Sequence, residues 1–233
     1  MRALKFDLKG KNAFFKNPEV NTYYYFSYGN IHKPALLGMF GAILGYKGYS
    51  EAYSDYPEYY EKLQDIKIAV IPKAEKGYFS RKIQYFNNSV GYASYEQGGN
   101  LIVKEQWLDN PWWVIYVMLD GEESQKLADM IRARKCVYIP YLGKNDHPAV
   151  IENIQVVSVD KKELKNQQIH SLVPAEYAGY DWDEMKFKYE EYLPYSLNKK
   201  TNHYELKKFI YTDAKAEICE NVYCDGESNI VFY

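Results

Sequence analysis

Along the first 160 residues the hydrophobic period switches between two and about 3.6 in an order that few architectures can absorb. Residues 2–8 alternate Leu4, Phe6 and Leu8 against Lys5 and Asp7, the signature of a half-buried strand. After Pro34, whose missing N–H is harmless in a first helical turn, Leu36, Leu37, Phe40, Ile43 and Leu44 recur at helical spacing. Residues 49–64 read as a second short helix with Tyr53, Tyr56, Tyr60 and Leu63 on one side, and residues 66–71 as a strand stopped by Pro72. The polar stretch 73–107 reads as a long projecting hairpin with strand-like runs at 81–86 and 101–107. Residues 112–119 (WWVIYVML) predict a strand buried on both faces. Residues 122–134 predict an amphipathic helix, entered through acidic residues, with Leu127, Met130 and Ile131 inward. Residues 136–141, a turn at 143–148 and residues 150–159 predict a closing hairpin. Strand, helix, strand, insert, strand, helix, strand is the split βαβ order of an α+β, ferredoxin-like or RNA-recognition domain over 1–160. Residues 161–233 carry weaker patterns and predict a small β-rich C-terminal region, with strands near 204–211 and 230–233.

A chain of 233 residues, 47% hydrophobic, can bury a proper core, but its formal charge of −2 argues against a free-standing nucleic-acid binder. A subunit that works inside an assembly escapes this objection, because neighbours share the charge neutralisation. The 26 tyrosines match what an AT-rich coding bias would supply, so their position carries more than their number. No apolar run approaches the roughly 20 residues of a membrane span, and the first residues hold no signal-peptide core. Three widely spaced cysteines predict reduced thiols and a cytoplasmic setting. Cys219 and Cys224, with His203 alone nearby, make a poor zinc set, so neither metal nor cofactor is expected.

The segment 14–49 joins a tyrosine-laden extended stretch to a glycine-studded helix, with His32, Lys33 and Pro34 at the joint. Aromatic faces for bases, with cations or helix-start amides for phosphates, are what hold single-stranded nucleic acid. Tyrosines that pack on the sheet while His32 caps the helix explain the same residues without a ligand. Gly38, Gly41 and Gly45 predict close packing of the helix backbone, not a dinucleotide fingerprint, since no buried strand runs directly into them. A second constellation is the turn PYLGKNDHPA, where Gly143 and Lys144 can bring amides and a cation to a phosphate, or form an ordinary exposed turn. The third is the projecting hairpin with Lys73, Lys76, Arg81, Lys82, Lys104 and Trp107, whose plain alternative is a solvated hairpin with a protected edge.

The order of a phenylalanine and a basic residue, Pro18, a Tyr/Asn-rich stretch, Pro34, then Gly41-Ala42-Ile43-Leu44-Gly45 resembles the N-terminal signature of CRISPR-associated protein 5. The Leu142-Gly143-Lys144 turn resembles the same family's glycine loop, and the nearest branch is type I-B. The resemblance implies a RAMP-type ferredoxin-like domain with a thumb hairpin at about 73–107. It implies a non-catalytic Cascade subunit that grips the 5′ handle of the guide RNA. Partners would be the guide RNA, the backbone subunit and the large subunit, with target DNA reached through the complex and no membrane. The RNA-facing residues expected on the combined reading are Lys16, Asn21, Tyr23, Tyr25, Tyr28, Asn30, His32, Lys33, Arg81, Lys82, Trp107 and Lys144. Some members of the family cut repeat RNA without metal, which needs a base, an acid and a cation. Here His32, Tyr28 and Lys33 would have to serve, since Lys104 has no paired histidine in residues 104–113. A protein-interaction domain with no RNA role is a third possibility. No Gly-x-Ser-x-Gly elbow, paired-histidine zinc motif or Walker loop occurs, and Asp181, Asp183 and Glu184 read as a solvated acidic run.

Overall fold

The computed structural model describes residues 1–20, 23–49, 56–92 and 95–233, and its centre is a four-stranded antiparallel sheet. Strands β1 (Arg2–Lys9), β3 (Ile68–Pro72), β6 (Trp112–Met118) and β7 (Val150–Ser158) lie in the order β3-β6-β1-β7. Helices α1 (Lys33–Leu44), α2 (Glu58–Leu63) and α3 (Glu122–Arg132) are the helical layer. Side-chain alternation divides the sheet cleanly. Leu4, Phe6, Leu8, Trp113, Ile115 and Val117 enter a large core with α1 and α3, whose Leu36, Leu37, Phe40, Leu127 and Ile131 are all buried. Ala3, Ala69, Ile71, Val114, Tyr116 and Met118 turn the other way and are covered by Ile230 and Phe232. Both faces of β6 are therefore dry, as its unbroken apolar run requires.

Between β3 and β6 the chain extends as a hairpin, β4 (Arg81–Asn87) and β5 (Ile102–Asp109), which pairs with the short β2 (Asn12–Ala13) in the order β2-β5-β4. After β7 come β8 to β11 (Asp160–Lys161, Gln167–Gln168, Val173–Pro174, Ala178–Asp181) and the long pair β12 (Lys188–Leu197) and β13 (Tyr204–Thr212). Strands β14 to β16 (Lys215–Cys219, Val222–Cys224, Asn229–Val231) complete the chain, and the later strands form three small sheets. Tyr189, Leu193, Leu197, Phe209 and Tyr233 join the same buried cluster as α1, so residues on both sides of position 160 share a core.

Two expected elements differ. The helix expected over 49–64 is formed only at Glu58–Leu63; residues 50–55, Tyr53 among them, lie outside the described residues. β3 stops at Pro72 as expected, with Pro72 its last paired residue, opposite Trp113. Residues 136–141 form no strand. Their amides go instead to the end of α1, Val137 N–H to the Ile43 carbonyl at 3.0 Å and Tyr138 N–H to the Ala42 carbonyl at 3.0 Å. Carbonyls in a helix's last turn lack partners within the helix, so this strap supplies what β-pairing would have taken away. Among the described residues no helix is long and apolar enough to cross a membrane.

Candidate nucleic-acid interface

Ala35, Gly38 and Ala42 recur every three or four residues and therefore share one face of α1, with Gly45 its left-handed cap just beyond. Having almost no side chain, they leave a floor between flanking segments, and an open cleft of about 780 Å³ lies over it. Its walls are Phe14, Phe15, Lys16 and His32 on one side and Met39, the 46–49 turn, Tyr59, Tyr138, Tyr141, Gly143 and Tyr204 around the rest. Tyr49 and Tyr138 stand at the rim 54% and 61% exposed. The strap fixes Tyr138 there through its own amide bond to α1. Gly143 fixes the next wall. Its φ is +85°, and a Cβ at this position would come within 1.9 Å of the Phe14 carbonyl oxygen, so the two backbones are in direct contact. The Phe14 N–H donates to the Leu142 carbonyl at 3.0 Å beside it. Gly41 is close-packed against Tyr59 and Gly45 against Val137, as expected of both glycines.

Continuous with this cleft through Lys16, which bridges to Ser27, the chain meets β5 at Tyr25. The Tyr25 N–H donates to the Lys104 carbonyl at 2.8 Å, and the Gln106 N–H to the Tyr25 carbonyl at 2.9 Å. This pairing makes a ridge of rings and cations on the outer face of the hairpin. Lys16 Nζ lies 4.0 Å from the Tyr25 ring centre, and Lys104 Nζ lies 5.1 and 5.5 Å from those of Tyr24 and Tyr85. The Tyr24 and Tyr85 hydroxyls are 3.3 Å apart, and Tyr23 is 82% exposed. Arg81, also exposed, donates to Gln106 at 3.1 Å on this face. Asn21 lies outside the described residues.

The other face of the hairpin is closed by the Gly143 turn. Lys82 pairs with Asp109 at 2.9 Å. Lys144 Nζ meets the Glu105 carboxylate at 2.8 Å, and the Trp107 indole N–H donates to the same oxygen at 2.7 Å. Trp107 and Lys144 thus share one internal carboxylate, while Lys82, partly exposed, pairs separately with Asp109, and none of the three stands on the open ridge.

Four expected contacts prove to be interior. Asn30 is fully buried, accepting from the Trp113 indole N–H at 2.9 Å and donating to the Gly77 carbonyl at 3.2 Å. Tyr28 is buried too, which drives its hydroxyl pKa upward, with smaller pushes from Glu19, Tyr204 and Glu191. His32, 3% exposed, is the N-cap of α1: its Nδ1 accepts the Ala35 N–H at 3.2 Å, and Phe15, Tyr28 and Tyr204 enclose the ring. Lys33, next in sequence, points to a different cavity, where its Nζ donates to the Tyr233 carbonyl at 3.3 Å and lies over Tyr195. Burial lowers its pKa to about 8. The expectation that His32 and Lys33 jointly face a phosphate is corrected accordingly. With Nδ1 spent on capping, His32 has only its Nε2 edge left for the cleft it lines.

Burial also lowers the His32 pKa to about 3 from 6.5. Between those values the unfolded chain takes up a proton that the folded chain refuses, so stability falls as pH drops through this window. The slope is roughly 1.4 kcal/mol per pH unit. His32→Asn keeps a capping acceptor and removes the titration. Urea melts at several pH values should show the wild type losing more stability on acidification than the variant; parallel losses would contradict this placement.

The rim tyrosines Tyr49, Tyr138, Tyr141 and Tyr204 escaped sequence reasoning, since they come from three separate segments. The legible signal was the Ala/Gly spacing of α1, which marks a face of mostly small residues. Among the described residues no group of three or more His, Cys, Asp or Glu is placed to hold a metal ion.

No family model matches the chain, and no curated protein matches it. Solved structures do. A chain of a "CRISPR RNA-guided surveillance complex" superimposes with a TM-score of 0.56 at 13% identity, over 92% of this chain and 91% of that one. A CRISPR protein from Archaeoglobus fulgidus gives 0.55 at 11% identity, over 99% and 98%. A structure described as a Cas protein gives 0.51 at 9% identity, over 92% and 95%. At such identities the likeness is one of fold, and it extends over nearly the whole of each chain.

Proposed function

We propose that this chain is a non-catalytic, RNA-binding and architectural subunit of a CRISPR effector complex, of the CRISPR-associated protein 5 kind and nearest the type I-B branch. One observation carries the reading: a helix face of mostly small residues, rimmed by exposed tyrosines and flanked by Lys16, forms a cleft on a fold shared with a surveillance-complex chain. Bases stack on sequence-tolerant aromatic faces while cations track the phosphates. The 5′ handle of the guide RNA would lie in the α1 cleft and leave along the Lys16–Tyr25–Tyr24–Lys104 ridge. On this reading the strand order β7-β1-β6-β3 is that of a ferredoxin-like RAMP domain over residues 1–160, and β4–β5 is its thumb, reaching the first spacer nucleotides and the backbone subunit. Residues 161–233 form the β-rich complement. The large subunit, rather than this chain, leads recognition of target DNA.

Cleavage is disfavoured by where its three candidate groups sit. His32 is enclosed and uses Nδ1 in capping, Tyr28 is buried, and Lys33 turns to another cavity. Metal-free cleavage needs base, acid and cation around one phosphate. Incubating the purified protein with repeat RNA in chelator tests both points. Binding without cleavage is expected, with Lys16→Ala weakening it and reducing the salt slope by about 0.7 per lost phosphate contact. Cleavage at one phosphodiester, abolished in His32→Ala, would overturn the assignment.

A further inference from the structure

The network behind the Gly143 turn resembles an anion site with its occupant supplied by the protein. Glu105 is only 6% exposed, and one oxygen receives both Lys144 Nζ at 2.8 Å and the Trp107 indole N–H at 2.7 Å. His147 stands beside them, 4.4 Å from the Trp107 ring, almost wholly buried, with neither ring nitrogen hydrogen-bonded among the described residues. A buried imidazole without a partner marks hydrogen-bonding capacity that this conformation leaves unused. The site is also next to the cleft. Gly143 and Phe14 line the cleft wall, and Lys144 Nζ is 5.8 Å from the Phe14 ring centre. Phe86 and Trp107 complete the rings around the ammonium.

We infer that Glu105 holds, in the RNA-free protein, an anion subsite formed by Lys144, Trp107 and His147, and that a phosphate of the bound strand replaces its carboxylate there. The inference rests on the RNA-binding reading and deepens it: the Gly143 turn is self-neutralised until ligand arrives. A carboxylate and a phosphate compete for the same charge-assisted donors. Keeping Lys144 paired also protects a chain of net charge −2 from binding polyanions through this turn alone. The exchange costs the Lys144–Glu105 pair, so affinity at this subsite is set by the difference between two ion pairs.

The test uses full-length protein and a short fluorescein-labelled single-stranded RNA, titrated at several salt concentrations. Lys144→Met should weaken binding and make the log–log salt slope shallower by about 0.7, as for one lost phosphate contact. Glu105→Gln keeps an acceptor for Lys144 and Trp107 and should bind about fivefold tighter, the scale of one released ion pair. In Glu105→Gln/Lys144→Met the gain should vanish. Circular dichroism checks that each variant folds; should Glu105→Gln fail, the slope of Lys144→Met decides alone. An unchanged slope in Lys144→Met, or a gain that survives in the double variant, would overturn the inference. If Lys16→Ala weakens binding while these variants do not, the inference alone fails; if the wild type binds no RNA, the underlying reading fails.

Discussion

Gly143→Ala is expected to lower stability by about 2–3 kcal/mol and to weaken RNA binding with it. Two effects combine at this residue. A left-handed φ strains any L side chain, and the added methyl meets the Phe14 carbonyl oxygen at 1.9 Å and its carbon at 2.7 Å. Backbone cannot rotate away as a side-chain tip can, so the turn must lift from the cleft wall. Gly98 separates the two effects. Its φ is +80° but nothing lies within 4 Å of a Cβ there, so Gly98→Ala should carry only the conformational penalty, about 1 kcal/mol. Thermal or urea unfolding of both variants makes the comparison. Equal losses would show that contact between the turn and Phe14 is not what requires glycine.

The second large effect concerns binding rather than folding. Tyr49→Ala and Tyr138→Ala should each weaken RNA binding by about 1–3 kcal/mol, the range for losing one base-stacking ring. The double variant should therefore bind at least about thirtyfold more weakly. Both side chains are more than half exposed, so stability should change by no more than about 0.5 kcal/mol. Tyr192 on β12 is as exposed and stands away from the cleft lining, which makes Tyr192→Ala the matched control. Fluorescence anisotropy with the same RNA reads all three. A Tyr192 effect as large as the Tyr138 effect would mean that exposed tyrosine, rather than the cleft, is what the RNA finds.

What could be read from the residues follows from which forces are local. β1, β6 and α3 were legible because each buries a continuous stripe, whose period appears in the sequence whatever packs against it. Residues 136–141 were misread for a physical reason. Val137, Tyr138 and Ile139 favour strand, but their amides satisfy the end of α1, and only tertiary placement decides between those partners. In the tyrosine-laden stretch, extension was legible and direction was not. Tyr23, Tyr24 and Tyr25 reach the ridge while Tyr28, Asn30 and His32 descend into the core, because the chain pairs with β5 only as far as Tyr25 and Gln106. Lys16 and Tyr25, singled out by residue type, lie together on the ridge. Lys144 was singled out as a phosphate contact, but its internal partner Glu105, 39 positions away, could not be seen from either residue.

The most direct test of the central claim is ultraviolet cross-linking of the native complex, followed by mass spectrometry of the peptides that carry nucleotide. The account predicts adducts on the α1 cleft and ridge, at Tyr49, Tyr138, Tyr141 or Tyr204 and at Tyr23 to Tyr25. Adducts confined to β12 and to β13 beyond Tyr204, or an assembly whose RNA cross-links to every subunit but this one, would contradict it.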